Sequence, residues 1–262
     1  MQQKSIFITG AARGIGKATA HYFAQKGWYL GLLDMNEEEL KALQKELGEG
    51  NSSIYLVDIR EIDQIQKAIT AFGERRGGKM DVLFNNAGIL YSGGFEKVPL
   101  EKHKAIIDVN ITGQINVTHI ALPLLKSTPK SVVINMCSAS SMFGNPELTA
   151  YAASKSALKS LTEGWYLLFK KHGIHVADIL PAYVKTPMVT DEQAAMALPD
   201  RDVKLSADQI AKAVWKAAHS KKMHHYVGTD ARLLKVVKWL LPQSWLLAIL
   251  KKGFYEDALR KN

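Results

Sequence analysis

Ser5-Ile6-Phe7-Ile8-Thr9-Gly10-Ala11-Ala12-Arg13-Gly14-Ile15-Gly16-Lys17-Ala18-Thr19-Ala20-His21-Tyr22-Phe23-Ala24 is the stretch that decides the fold. Ser5–Ile8 is a short apolar run of β type, and Lys17–Ala24 carries a helical pattern. The glycine-rich turn Thr9–Gly16 joins them. A strand, such a turn and a helix N-terminus together make a phosphate cradle. The glycines let backbone come close, while free N–H groups and the helix dipole favour a pyrophosphate. Gly10, Arg13, Gly14, Ile15 and Gly16 are therefore candidate contacts for a dinucleotide. The same turn also serves simply to pack a helix against a sheet, so its meaning rests on the next strand.

That strand is the apolar run Trp28–Leu33, ending in Asp34, 18 residues past Gly16. An acid there is placed to accept hydrogen bonds from the adenosine ribose hydroxyls and would repel a 2′-phosphate. Asp34 also suits the N-cap of the acidic helix starting at Glu37, and one carboxylate can serve both ends. Arg13, inside the turn, is able to pair with a 2′-phosphate. A carboxylate in direct contact outweighs a flexible arginine on the rim, so NAD is expected in preference to NADP.

Further along, strand-like and helix-like segments alternate. The strands are read at Ser5–Thr9, Trp28–Leu33, Ser53–Val57, Val82–Asn85, Val132–Met136, His175–Leu180 and His225–Gly228. Helices are read near Ile15–Gln25, Glu37–Leu47, Ile62–Phe72, Leu100–Leu125, Ala150–His172 and Ala207–His219. The alternation predicts a parallel sheet with helices on both faces. Right-handed crossovers make it a doubly wound, Rossmann-type α/β domain with its ligand at the carboxyl edge. No repeat, low-complexity segment or linker divides the chain. Residues 1–230 are read as the catalytic domain, and 231–262 as a basic amphipathic extension of it.

The second informative group is Ser138, Tyr151 and Lys155. Tyr151 and Lys155 stand one helical turn apart. An ammonium beside a phenol is expected to lower a pKa that is normally about 10, so that the phenol exchanges a proton with an alcohol or ketone near neutral pH. Ser138, after the run Val132-Val133-Ile134, supplies a hydroxyl to hold the substrate oxygen. No metal is expected, because the eight histidines are scattered and His224-His225 lacks accompanying ligands.

With these motifs in order, the chain resembles the short-chain dehydrogenases/reductases of roughly 250 residues. The resemblance runs from about Lys4 to Gly228. It takes in the Thr9–Gly16 turn, Asp58, Asn85-Asn86-Ala87-Gly88, Asn110, Ser138, Tyr151 with Lys155, and Pro181 to Thr186. Ala182 departs from the glycine usual in the family after the proline. The resemblance implies hydride transfer between a nicotinamide cofactor and a carbinol or carbonyl carbon, with Tyr151 as acid–base, Ser138 orienting the oxygen and Lys155 bonding the nicotinamide ribose. It implies that Asn110 bends its helix and holds a water linked to the lysine. Asn85, Ala87 and Gly88 would line the adenosine side, although Asn85 also reads as a turn-stabilising residue. Asp58 would accept from the adenine amino group and Ile59 offer its N–H; Asp58 reads equally as a helix N-cap. Pro181, Val184 and Thr186 would lie at the nicotinamide end, with Val184 and Thr186 contacting its carboxamide. Binding scaffolds and redox sensors with this fold usually lose the tyrosine or the lysine, and both are present here. An NADP-dependent ketoreductase of small or acyl substrates is the alternative enzyme.

Composition agrees with a globular domain of 262 residues, 47% hydrophobic and 23% charged. A single cysteine, Cys137, allows no internal disulfide and points to a reducing, cytoplasmic setting, and the N-terminus leaves no room for a cleaved signal. Leu90, Tyr91, Phe95, Met142, Phe143, Tyr183, Met188, Met196 and Leu198 fall in the segments expected to shape the substrate site. Their apolar character points to a hydrophobic alcohol, aldehyde or ketone: long-chain, retinoid-like or steroid-like. A homodimer or homotetramer is expected. The net charge is +9, and residues 221–262 hold nine Lys or Arg against three Asp or Glu. There Arg232, Lys235 and Lys238 recur every three residues and give a basic face opposite an apolar one, in a run that also holds Leu233, Leu234, Val236, Val237, Trp239, Leu240 and Leu241, until Pro242 breaks it. This is too charged for a spanning helix, and it suits peripheral contact with a membrane on the cytoplasmic face, a subunit contact or a cover for the substrate site. The aromatics sit among aliphatics rather than among the charges, which argues against nucleic acid.

Overall fold

Continuous apolar runs at 5–9, 29–34, 82–85 and 132–136 bury both of their faces, the signature of strands covered by helices on two sides. The computed structural model describes residues 3–186 and 205–251. The strands are β1 (Ser5–Thr9), β2 (Tyr29–Asp34), β3 (Ser52–Leu56), β4 (Val82–Asn85), β5 (Val132–Met136), β6 (His175–Pro181), β7 (Val184–Lys185), β8 (Leu205–Ser206) and β9 (His224–Val227). Seven form one sheet in the order β3-β2-β1-β4-β5-β6-β9, and every pair in it is parallel. The order reverses at β1, which puts the switch point beside the glycine turn. The short strands β7 and β8, unassigned from sequence, pair parallel with each other.

Successive residues of each strand face opposite layers. Ile6, Ile8, Leu30, Leu32, Phe84 and Ile134 pack on α1 (Gly14–Ala24), α2 (Glu37–Leu47) and, through Ile210 and Val214, the helix Ala207–Ala218. Phe7, Leu33, Leu83, Val133 and Val176 pack on α3 (Ile62–Arg75), α5 (Gln114–Lys126) and α6 (Thr149–Phe169), with α4 (Leu100–Ile107) leading into α5. The helix Ala207–Ala218, α7 here, begins with a reciprocal capping box between Ser206 and Gln209. Its Trp215 meets Phe23 and Trp28 edge-on at 5.0 and 5.6 Å between centroids, fastening α7 to α1.

The helix expected over Leu100–Leu125 is interrupted. Asp108–Gly113 forms a π-helical turn around Asn110, whose carboxamide leaves the helix to bond elsewhere. Pro242 ends the tail's first helix as expected. It separates α8 (Thr229–Leu240) from α9 (Gln243–Leu250). Ala231 and Leu234 seat α8 against Met142, Phe143, Ala182 and Tyr226. Among the described residues no helix is long and apolar enough to cross a membrane.

Candidate active site

The turn after β1 is built for close approach. Gly10 has φ +64°, and a Cβ there would lie 2.8 Å from Ala87 Cα. A Cβ on Gly16 would lie 2.0 Å from the Gly10 carbonyl oxygen, so α1 starts where only glycine fits. Asn86 locks the arrangement: its Nδ2 donates to Thr9 O at 3.0 Å and Gly10 O at 2.9 Å, while Thr9 Oγ1 accepts from Asn86 N and Ala87 N, each at 3.0 Å. Arg13 is the exposed N-cap of α1 and makes no side-chain cap bond.

Asp34 closes the other side of this cradle. Its Oδ2 accepts from Ala12 N at 3.0 Å, and its Oδ1 from Met35 N at 2.8 Å and Asn36 N at 3.2 Å. It does not cap α2; Asn36 does, accepting from Glu39 N at 3.1 Å. A negative charge is thus fixed beside the turn. The glycine approach, the free helix start and this carboxylate together fit a dinucleotide.

A cavity of about 1180 Å³ runs from the turn along the carboxyl edge. Gly10, Arg13, Gly14, Ile15, Asp34, Asp58, Ile59, Ala87, Gly88, Ser138, Tyr151, Lys155, Pro181, Val184 and Thr186 all line it. Gly16 and Asn110 stand behind the wall. Asn85, a candidate contact, is fully buried within the sheet instead. Its Nδ2 donates to Thr118 Oγ1 at 2.8 Å and to Asn135 Oδ1 at 2.9 Å, and Asn135 in turn donates to Thr162 Oγ1 at 2.8 Å. The asparagine of the pair that lines the cavity is Asn86. Sequence reasoning passed over it because neighbouring strand-end residues point to opposite sides.

The three central groups meet at the middle of the cavity. Ser138 follows β5 and caps the short turn Ala139–Met142, its Oγ accepting from Ser140 N at 3.1 Å. Tyr151 and Lys155 lie at the start of α6. The phenol bonds the Ser138 side chain, and burial pushes its pKa up to about 12, with that bond working in the opposite direction. Lys155 Nζ donates to Met136 O at 2.8 Å and sits 5.6 Å from the Tyr151 ring centroid. Burial pulls the lysine down to about 8. The expected lowering of the phenol by the ammonium is therefore corrected: dehydration outweighs it, and Ser138, rather than the lysine, is the group that favours ionisation.

Asn110 supports this centre from behind. Its Nδ2 donates to Ile89 O at 3.0 Å and Ser154 Oγ at 3.1 Å, and its Oδ1 accepts from Ile89 N at 2.8 Å. Asp58 does not cap α3. Its carboxylate takes Arg60 through both Nε and Nη2, and this holds its pKa below the ordinary carboxylate range. Deeper in the sheet, Asp178 is fully buried and accepts from His224 Nδ1 at 2.9 Å, which gives His224 a role the sequence did not suggest.

Of the expected substrate-side residues, Leu90, Tyr91, Phe143 and Tyr183 line the cavity. Phe95 does not; it is exposed and stacks on His103 at 4.8 Å. Met142 is buried beneath α8. Met188, Met196 and Leu198 lie outside the described residues. The wall is completed by Leu148 and by the tail's Leu233, Leu234, Val237, Leu241 and Leu246, which had only an unassigned amphipathic pattern in the sequence.

A dinucleotide cradle at the switch point of a parallel sheet, opening onto a half-buried serine and tyrosine and a buried lysine, defines a nicotinamide-dependent oxidoreductase acting on CH–OH and C=O groups. The short chain dehydrogenase family model matches residues 4–197. The chain is 34% identical over 190 residues to a 3-oxoacyl-(acyl-carrier-protein) reductase of Thermotoga maritima, covering 72% of this chain and 77% of the relative. A short chain dehydrogenase of Burkholderia cenocepacia solved with NADP superposes with a TM-score of 0.82 at 24% identity, covering 95% of this chain and 98% of that one. A short chain dehydrogenase/reductase of Burkholderia phymatum solved with NAD superposes with a TM-score of 0.80 at 26% identity, covering 90% and 92%. The chain belongs to the short-chain dehydrogenase family.

Proposed function

We propose that this oxidoreductase interconverts a hydrophobic alcohol with its ketone or aldehyde, using NAD in preference to NADP. The observation that carries the substrate class is the apolar wall beside Tyr151: Tyr91, Phe143, Leu148, Leu234, Val237 and Leu246. Asp34, held by three backbone N–H groups at the adenosine end, supports the choice of NAD. Gly10, Gly14, Ile15 and Asp34 would hold the adenosine diphosphate portion, Lys155 the nicotinamide ribose, and Val184 with Thr186 the carboxamide. When bound, the nicotinamide supplies or accepts the hydride.

The protein's own contribution is a proton and a place for it. With its pKa near 12, Tyr151 is protonated at neutral pH and donates to a developing alkoxide in the reducing direction. Oxidation is the reverse transfer, to the phenolate, a minor form at neutral pH that grows as the pH rises toward 12. Ser138 holds the substrate oxygen by a hydrogen bond that strengthens as charge develops on it. Asn110 keeps Ile89 and Ser154 in place beside the lysine. Tyr151→Phe should lower turnover by about 10² to 10⁴ with cofactor binding intact. Wild-type turnover by that variant, across alcohols and ketones of increasing length with both cofactors, would refute the mechanism. A second reading, a ketoreductase of acyl substrates, is favoured by the name of the Thermotoga relative. Faster reduction of a short 3-oxoacyl thioester than of a long-chain ketone would select it.

Self-association has its own support in the exposed Leu167 and Leu168 of α6 and Ile115 of α5. A dimer or tetramer through that face is expected by sedimentation.

A further inference from the structure

The tail helices α8 and α9 have two apolar sides, and only one is used by the fold. Leu234, Val237 and Leu246 turn inward and form part of the cavity wall. On the outside, Trp239 is 84% exposed and Trp245 64%, with Val236, Leu240 and Leu247 each at least half exposed. Arg232, Lys235, Lys238 and Lys251 are exposed on the same two helices, Lys235 with its Nζ 5.2 Å from the Tyr226 ring centroid. Leu233 belongs to both sides: it lines the cavity and is 63% exposed, so it stands at the rim.

We propose that this outer face docks on an anionic lipid bilayer, and that the cavity receives its substrate directly from that bilayer past Leu233. The docking argument stands on these two helices alone; the delivery step rests on the hydrophobic-substrate reading. Two tryptophans amid aliphatics, with cations on the same helices, match the headgroup–acyl boundary, where an indole places its ring in the apolar layer and its N–H in the wet one. The charge selects the occupant. Residues 221–262 carry nine cationic side chains against three acidic ones. A second copy meeting this face across a twofold axis would set one net-cationic patch against another, whereas phosphate headgroups neutralise it. Because no helix among the described residues is able to span, the attachment is in the plane of the interface and reversible.

The test uses the full chain with phosphatidylcholine vesicles containing about one-third phosphatidylglycerol, and with phosphatidylcholine alone. Co-sedimentation and a blue shift of tryptophan emission are expected with the anionic vesicles. Binding should weaken about tenfold or more as salt rises from about 0.1 to 1 M and the screening length falls from roughly 10 to 3 Å. Trp239→Ser with Trp245→Ser, and separately Arg232→Glu with Lys238→Glu, should each reduce binding by about tenfold or more. Both pairs should leave turnover of a water-soluble short-chain ketone unchanged. Equal binding to neutral vesicles, no binding at low salt, or a smaller sedimenting species in the tryptophan variant with vesicle binding unaltered would overturn docking. In the last case the face is a subunit interface. If docking holds but a long-chain ketone is reduced no faster in vesicles than in detergent micelles, delivery is overturned. Failure to turn over any long-chain ketone, with docking intact, would instead refute the substrate reading.

Discussion

Tyr151 and Lys155 are displaced in opposite directions by one cause, loss of water, and the two shifts leave separate marks on stability. Lys155 falls from about 10.5 to about 8 on folding. Between those values the unfolded chain holds a proton that the folded chain has released. Raising the pH through this window therefore favours the folded state, by up to about 1.4 kcal/mol per pH unit. Tyr151 rises from 10.0 to about 12, so above pH 10 the folded chain keeps a proton that the unfolded chain loses, and stability falls. Melting temperatures of wild type relative to Lys155→Met should climb from pH 8 to 10; a flat difference would show that the ammonium is not dehydrated. Asp34 is the second test at this scale. Asp34→Ser removes the charge that opposes a 2′-phosphate and should shift relative affinity from NAD toward NADP, read by titrating both cofactors. An unmutated protein that prefers NADP would mean that Arg13 governs the choice. The residues that bear charge or form the turn were legible in the sequence because their spacing along the chain is short. The pKa of Tyr151 was not, since it depends on how much protein surrounds the hydroxyl. Asn85 and Asn86 were indistinguishable for a related reason: which of two adjacent side chains faces the cavity is decided by strand register.

At the scale of elements, the site is held by a buried polar stitch rather than by apolar packing alone. Asn85 on β4 reaches Thr118 on α5 and Asn135 on β5, and Asn135 reaches Thr162 on α6. These elements carry or adjoin Gly88, Ser138 and the Tyr151–Lys155 pair. Thr162→Val leaves Asn135 Nδ2 without its acceptor in a site with no water access. It should cost about 1–3 kcal/mol, measured as a lower urea midpoint at unchanged slope. An unchanged midpoint would mean that the network relaxes around the loss. Strand and helix identities were legible because each apolar run has clear glycine, proline or acidic boundaries. The π-helical turn at Asp108–Gly113 escaped the periodicity, because one extra residue in a helix leaves the apolar pattern almost intact, and only the resemblance, through Asn110, implied a bend there. β7 and β8 have two residues each, too short for a period to register.

For the whole molecule, the tail is where sequence and structure part most. Its amphipathic character was plain, but three partners fitted it, and only the folded chain shows part of its apolar surface in the cavity wall. A chain ending at Gly228 keeps all seven strands of the main sheet and loses that wall. It should retain its β-sheet circular dichroism while the KM for a long-chain ketone rises about tenfold or more, given that each well-buried aliphatic side chain contributes about 1.5–3 kcal/mol. Unfolding of the truncated chain would make the two tail helices a part of the core instead. The strand order carries a consequence for biosynthesis. Reading outward from β1, the sequence numbers only increase: β2 then β3 on one side, β4, β5, β6 and β9 on the other. Every strand after β1 therefore leaves the ribosome after the inner neighbour it joins has already been made. The sheet is able to grow by accretion at an edge, with none of its strands waiting for a partner still to be translated, and the nascent chain exposes one extending edge on each side instead of a set of unmatched strands.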